Sequence, residues 1–171
     1  MKTVIILLLA VLLPHAARAA DLVKGTAFVI DGDTIEINDE RIRLWGIDAP
    51  ESAQRCTEDG RLYPCGLDVS QTLRRQIGRK PVSCVHRDTD RYGRMVALCT
   101  VTGINISQWI VQQGQAIAFR RYSLDYVADE DAARAAKVGL WAGEFLNPSE
   151  FPYQARRATP RAEHRGLYLS G

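Results

Sequence analysis

The sequence predicts an α+β domain, mainly β, in which a five-stranded barrel carries about three packed helices. Two observations predict this class. Short segments of alternating apolar and polar residues lie on both sides of one helical segment, and further helical segments follow the last long strand. The order is therefore three strands, a helix, two strands and then helices, which fits a barrel with helices packed on its surface.

The strands are predicted from period-two alternation and from the turn residues between them. Asp31-Gly32 is a tight-turn signal between the first two strands, and Pro50 ends the third. The segment 52–64, before the first helix, is expected to be a polar loop. The predicted strands are 23–30, 35–37, 42–44, 81–85, 95–101 and a short one at 116–119.

The helices are predicted from apolar residues that recur at the spacing of one helix face. The first covers 68–79, and the last, rich in alanine, covers 125–138. Between them, Asn105 is the predicted N-cap of a helix that Gly114 ends. Aromatic residues on the apolar faces of these elements are expected to belong to the core: Trp109, Phe119 and Trp141.

Residues 1–19 are predicted to be a secretory signal peptide. Lys2 precedes the apolar run 4–13, and Ala17-Arg18-Ala19 provides a cleavage site of small residues. The run is too short for a membrane span, and the alternative interpretation is an N-terminal core helix. The signal peptide would direct export to the periplasm or the medium. Its cleavage would leave one domain at 20–152 with a basic, flexible tail at 153–171.

The charge balance excludes nucleic-acid binding through bulk charge. The full chain has 22 lysine and arginine residues against 20 aspartate and glutamate residues. Loss of Lys2 and Arg18 with the signal peptide leaves 20 against 20. Recognition of phosphate groups must therefore come from the local placement of a few cationic side chains.

Four cysteines in an exported chain predict two disulfides. Cys84 and Cys99 are equally distant from the turn at 90–93, so a symmetric hairpin would place them opposite each other on two strands. Cys56 and Cys65 then form the second pair by elimination. The rival interpretation is a zinc site, but these spacings lack the C-x2-C pairs of structural zinc.

Asp33 and Asp48 are candidate ligands of a hard divalent cation. Asp33 follows the Asp31-Gly32 turn and Asp48 lies at a strand end, where side chains of neighbouring strands can converge. Two close carboxylates repel each other, and a bound divalent cation relieves that repulsion. The alternative interpretation is that the segment 31–34 is only a hairpin turn.

Arg43 and Arg94 are candidates for binding and stabilising a phosphate group. Arginine forks match phosphate oxygens in pairs and remain charged at any working pH. Arg43 alternates with Ile42 and Leu44, which directs it away from the apolar face and toward a polar cleft. Tyr92, in the turn before Arg94, could pack against a nucleotide sugar or base. For each arginine, the alternative is a surface ion pair of little energetic value.

Three segments, at 31–34, 43–51 and 90–94, together resemble the staphylococcal-nuclease-like (thermonuclease) family, and the resemblance covers roughly residues 23–145. It implies an OB-fold barrel, whose strand faces and loops bind nucleic acids or sugars. It also implies a Ca²⁺ site made of Asp33, Asp48 and the backbone carbonyl of Ala49, with Asp31 in support. The catalytic residues that it implies are Arg43, Glu51 and Arg94, with Glu51 taking a proton from the attacking water.

The function that the resemblance implies is a Ca²⁺-dependent nuclease, acting as a monomer on DNA and RNA with little sequence preference. It is expected to prefer single-stranded regions and to leave 3′-phosphate ends, with Tyr92 and Tyr122 as substrate contacts. The alternative is a non-catalytic nucleic-acid-binding module of the same fold. Such a module has no reason to retain the two aspartates, the two arginines and the glutamate together, and this chain has all five.

Overall fold

A computed structural model describes residues 22–151, so the predicted signal peptide (1–19) and basic tail (153–171) lie outside the described residues. The strands of the described part are β1 (Leu22–Thr26), β2 (Phe28–Val29), β3 (Thr34–Ile37), β4 (Glu40–Leu44), β5 (Ile47–Asp48), β6 (Cys56–Glu58), β7 (Arg61–Tyr63), β8 (Pro81–Thr89), β9 (Met95–Val101), β10 (Ile104–Asn105) and β11 (Ile117–Ala118). Its helices are α1 (Cys65–Ile77), α2 (Ile106–Gln112), α3 (Val127–Ala135) and a short 3₁₀ helix (Gly139–Ala142). Within residues 22–151, no helix has the length and apolar character needed to cross a membrane.

The main sheet curls into a barrel that is not fully closed. Its strands follow the order β1, β8, β9, β4, β3 and β2, with β10 paired to β9. The outer strands β1 and β2 are consecutive parts of one segment interrupted at Ala27, so the sheet curls back on itself. This confirms the predicted mainly β, OB-fold barrel with packed helices.

The core of the barrel consists of branched apolar side chains from the strands and from one face of α1. Val69, Leu73 and Ile77 of α1 are fully buried, as the helical spacing predicts. The helix begins at Cys65, three residues earlier than predicted. Asn105 is the N-cap of α2, where its side-chain oxygen accepts the backbone N–H of Gln108 at 3.2 Å.

The pairing of β4 with β9 brings the two predicted phosphate-binding arginines to one edge of the barrel. These strands run parallel, with Ile42 opposite Met95 and Arg43 opposite Val96. Because Arg94 directly precedes β9, it lies beside the middle of β4. Alternation identifies strands but not their partners, so the strand pattern alone does not predict this neighbourhood. Only the family resemblance implied that the two arginines act together.

The β8–β9 hairpin pairs Cys84 with Cys99, as the spacing predicts, but the hairpin is not symmetric. The Asp90 N–H donates to the Arg94 carbonyl at 3.0 Å, so the turn is one residue longer than assumed. A bulge at Arg87 shifts the register by one residue and restores the cysteine pairing. The longer turn and the bulge shift the register in opposite directions, so Cys84 and Cys99 still lie opposite each other.

The segment 52–64 is not only a polar loop. It contains the β6–β7 hairpin, whose turn is at Asp59-Gly60, a signal that the sequence carries. A disulfide joins Cys56 to Cys65 at the start of α1, which is the second predicted pair. The hairpin is thereby attached to the first turn of the helix.

Candidate active site

A cleft of about 440 Å³ opens at the edge of the barrel between β4, β5 and the turn that joins β8 to β9. The pairing of β5 with β11 sets Asp48 opposite Ile117 and leads the chain on to Phe119, and both Asp48 and Phe119 line the cleft. Six of the predicted site residues line the cleft: Arg43, Asp48, Glu51, Tyr92, Arg94 and Tyr122. Asp33 and Ala49 are buried and do not line it.

Arg43 lies between the two predicted metal ligands. Its Nη2 atom is 3.0 Å from Asp33 Oδ2 and 2.9 Å from Asp48 Oδ1. The Thr34 hydroxyl donates to Asp33 Oδ1 at 2.9 Å, and the Asp33 N–H donates to Asp31 Oδ1 at 3.0 Å. The turn and two strands thus converge on one cluster of charged side chains, which brings Asp33 and Asp48 together around Arg43.

The charges of this cluster are not balanced by Arg43 alone. Burial raises the pKa of Asp33 to about 7, against the attraction of Arg43 and with a further increase from Asp31 and Asp48. Burial also raises the pKa of Asp48 to about 6, again against the attraction of Arg43. Additional positive charge at this position would therefore stabilise the ionised carboxylates.

The donor set fits a hard divalent cation. Asp48 Oδ2 is buried and has no hydrogen-bond partner among residues 22–151, and carboxylate and carbonyl oxygens are the ligands that calcium uses. The described residues contain no group of three or more histidine, cysteine, aspartate or glutamate side chains placed to hold a metal. An ion here would thus need backbone or water oxygens as ligands besides Asp33 and Asp48. The backbone carbonyl of Ala49 is the predicted additional ligand.

Glu51 lies exposed at the rim of the cleft. Partial burial and the neighbouring Asp31 raise the pKa of Glu51, while Arg43 and Arg94 act in the opposite direction. A raised pKa makes this carboxylate a stronger base than an ordinary surface glutamate. The side chain is therefore both accessible to water and suited to accept a proton.

Arg94 is held on the opposite rim by Asp90. Asp90 Oδ1 accepts the N–H groups of Tyr92 at 2.9 Å and Arg94 at 3.0 Å, and its Oδ2 accepts Arg94 Nε at 2.7 Å. Although burial acts to raise it, the hydrogen bonds from Arg94 and Tyr92 hold the pKa of Asp90 below its ordinary value. Because the contact uses Nε, both terminal amino groups of Arg94 are available to a phosphate.

Phe119 belongs to the cleft, so its assignment to the core was wrong. Its N–H donates to the Gly46 carbonyl at 2.9 Å, and the half-buried residue lines the cleft. The ring lies 4.9 Å from the ring of Tyr122, and the Arg43 guanidinium is 5.7 Å from its centre. The sequence signal that could have found it is its position directly before Arg120-Arg121-Tyr122.

The adjacent arginines Arg120 and Arg121 have different environments. Arg120 pairs with buried Glu130 at 2.6 Å and with Asp131 at 3.4 Å, so it attaches the end of β11 to α3. Arg121 is exposed and lines the cleft. Only the second of these side chains is therefore placed to meet a ligand in the cleft.

Comparison with known proteins identifies relatives over most of the chain. A family model described as staphylococcal nuclease homologue matches residues 41–143. A protein named succinoglycan biosynthesis protein ExoI, from Rhizobium meliloti (strain 1021), is 34% identical over 147 residues, which are 84% of this chain and 77% of that protein. An uncharacterized endonuclease of Escherichia coli O157:H7 is 36% identical over 130 residues, 72% of this chain and 79% of its own. The micrococcal nuclease of Shigella flexneri is 31% identical over 169 residues, 89% and 90% of the two chains.

Proposed function

This chain belongs to the staphylococcal nuclease family, and from that premise we propose that it is an exported nuclease that requires calcium. It hydrolyses phosphodiester bonds of DNA and RNA with little sequence preference. Membership of the family and the nuclease names of the relatives support a hydrolase acting on nucleic acid. The observation that carries the proposal is the buried pair Asp33 and Asp48 around Arg43, in a cleft that also contains Glu51 and Arg94.

Asp33, Asp48 and the carbonyl of Ala49 would hold the calcium ion. When bound, the ion supplies positive charge that offsets the repulsion of the carboxylates and polarises the phosphate group. Two observations support this role. Within the described chain, the buried Oδ2 of Asp48 has no hydrogen-bond partner. Burial also raises the pKa of both Asp33 and Asp48, so that a bound cation would favour their ionised forms.

Arg43 and Arg94 bind oxygens of the scissile phosphate from two sides. Negative charge increases on the equatorial oxygens during in-line attack, so two guanidinium groups stabilise the transition state more than the bound substrate. Both side chains are part-buried at the cleft surface, where the surrounding protein excludes some of the screening water.

Glu51 accepts a proton from the attacking water. The water oxygen forms a bond to phosphorus, the proton passes to the Glu51 carboxylate, and the bond from phosphorus to the 5′ oxygen breaks. The departing 5′ oxygen takes up a proton from solvent water, which reaches the cleft at its exposed rim. The products are a 3′-phosphate end and a 5′-hydroxyl end. The exposed position of Glu51 at the rim and the increase in its pKa by burial support this role.

The substrate that suits this cleft best is a single-stranded or frayed segment. Tyr92, Tyr122 and Phe119 present ring surfaces beside Arg43, Arg94 and Arg121, and bases stack on aromatic rings when they are unpaired. The two disulfides fit an oxidising compartment, which supports export by the proposed signal peptide at 1–19.

The test is hydrolysis of single-stranded DNA by the oxidised protein with calcium, with the chelator EGTA, and with the variant Glu51→Ser. We expect cleavage that requires calcium and falls by about 10² to 10⁴-fold in Glu51→Ser, the range for removal of a general base. The control is Glu58→Ser, an exposed glutamate of β6 outside the cleft, which should retain activity.

Two outcomes would contradict the proposal in different ways. Tight binding of DNA without cleavage in any divalent cation would make the protein a binding module. Calcium-dependent cleavage that Glu51→Ser leaves intact would support the nuclease but remove Glu51 from the chemistry.

A further inference from the structure

We propose that Gln54 is a positioning residue that orients Glu51 for the reaction, an inference that rests on the proposed role of Glu51 as the base. Gln54 is only 1% exposed, although Ser52, Ala53 and Arg55 around it are exposed. A buried amide is costly unless its polar atoms are hydrogen-bonded. The hydrogen-bond partners of the Gln54 side chain therefore indicate which part of the structure it stabilises.

Gln54 binds both backbone polar groups of Glu51. Its side-chain Oε1 accepts the Glu51 N–H at 3.3 Å, and its own backbone N–H donates to the Glu51 carbonyl at 2.7 Å. Its Nε2 donates to the carbonyl of Leu146 at 2.7 Å. One residue thus connects the backbone of Glu51 to the chain segment just before Pro148 and Ser149, which also line the cleft.

The first turn of α1 supports the same part of the backbone. The Gly66 N–H donates to the Gln54 carbonyl at 3.3 Å. A Cβ atom at Gly66 would overlap the carbonyl oxygen of Glu51 and lie 2.7 Å from its carbonyl carbon. Only glycine permits so close an approach, so the helix backs directly onto the backbone of Glu51.

The same helix also supports the turn that carries Asp33. A Cβ at Gly32 would lie 2.6 Å from Val69 Cγ1 and 2.7 Å from Ala49 Cβ. The helix α1 therefore lies beneath Glu51 at its first turn and beneath the Asp33 turn one turn later. Gln54 and Gly66 set the position of Glu51 relative to this common support.

Gln54 acts through Glu51 and not on the substrate, because it does not line the cleft. The Glu51 loop, defined here as residues 49–55, pairs with no strand in the described part of the chain. Its position consequently depends on these few side-chain and turn contacts. A displacement of about 1 Å in a reacting group can reduce a rate by about 10²-fold.

The first experiment compares wild type with Gln54→Met, which retains the length of the side chain and removes the amide. We expect kcat to fall by about 10 to 100-fold with KM unchanged, and the Glu51 amide hydrogen to exchange faster with solvent. The matched control is Asn105→Ala. It also removes two amide hydrogen bonds, from Gln108 and to Tyr126, at a helix end outside the cleft. We expect it to lower Tm and leave kcat unchanged below the unfolding range.

The second experiment introduces Gln54→Met into the variant Glu51→Gln. If Gln54 acts only through Glu51, the double variant should be no slower than Glu51→Gln alone. Losses that multiply, or an equal loss of kcat in Asn105→Ala, would overturn the positioning role. Absence of hydrolysis by the wild type would contradict the proposed nuclease instead. In that case an unchanged exchange rate of the Glu51 amide in Gln54→Met would separately overturn the inference.

Discussion

The two rims of the cleft are held in place by different means. Arg94 lies on a turn between two long paired strands, and the ladder of β8 and β9 continues from that turn to Cys84–Cys99. Glu51 lies in a loop without strand pairing in the described chain, attached by Gln54, Gly66 and the nearby disulfide Cys56–Cys65.

The difference shows what an irregular segment needs to hold a side chain accurately. In the hairpin, the strand residues are fixed by backbone hydrogen bonds that any sequence of suitable strand residues can make, and the Asp90 side chain fixes the turn and Arg94. In the Glu51 loop, the same accuracy requires particular residues: a buried amide, a close-packed glycine and a covalent bond. Changes to the residues that hold the Glu51 loop should therefore lower the activity of the protein. Changes in the β8–β9 hairpin that carries Arg94, other than at Arg94 itself, should mainly lower its stability.

The largest effect that sharpens this comparison is expected at the hairpin rim itself. We expect Arg94→Ala to reduce kcat by about 10² to 10³-fold, the range for removal of one donor to a transition-state charge, without loss of Tm beyond a few degrees. The measurement is steady-state cleavage of single-stranded DNA in calcium. Arg75→Ala removes an exposed arginine of α1 that contacts Thr72, and it should behave as wild type. An increase in KM alone would show that Arg94 only binds the substrate.

The next effect compares the two disulfides directly. They close segments of 9 and 15 residues, and loop entropy alone gives each about 3 kcal/mol of stability. We therefore expect the paired alanine substitutions, Cys56→Ala with Cys65→Ala and Cys84→Ala with Cys99→Ala, to lower the free energy of unfolding by similar amounts in urea titrations. Only the first pair should lower kcat, by about tenfold, because it loosens the support of Glu51. Equal kcat in the two variants below their unfolding range would contradict the contrast between the rims.

The smallest effect concerns the acid that closes the hairpin turn. Hydrogen bonds hold the pKa of Asp90 below its ordinary value of 3.8, so its contribution to stability is present above the unfolded-state pKa and is lost as pH falls through the folded-state pKa. Asp90→Asn should be less stable than wild type at pH 7 by about 1 kcal/mol after allowance for solvent screening, and the difference should narrow toward pH 3. The measurement is urea unfolding at both pH values, with Asp59→Asn in the exposed β6–β7 turn as the control. A difference that does not change with pH would show that the carboxylate charge is not what holds this turn.

Several features were predictable because they depend on residues close together in the chain. The alternation of Arg43 with apolar neighbours predicted that its side chain faces the cleft. Asn105 was predicted to be the N-cap of α2, and its side chain accepts the backbone N–H of Gln108, three residues further on. The pairing of Cys84 with Cys99 followed from the spacing of one hairpin, although the extra turn residue and the bulge that compensate each other were not foreseen. Such patterns can be recognised in the sequence because they arise from interactions between residues close together in the chain.

Other features were decided only by the tertiary structure. The parallel pairing of β4 with β9 brings Arg94 near Arg43. The pairing of β5 with β11 places Phe119, which was predicted to belong to the core, at the cleft. The burial of Gln54 likewise depends on the carbonyl of Leu146, 92 residues further along the chain. A glutamine in a polar loop has no periodic pattern, and strand alternation does not specify a partner. The sequence by itself therefore determined most strands of the main sheet, the disulfide pairs and the types of reactive group, but not the β6–β7 hairpin. Contacts between distant segments determined which groups share the cleft and how Glu51 is held.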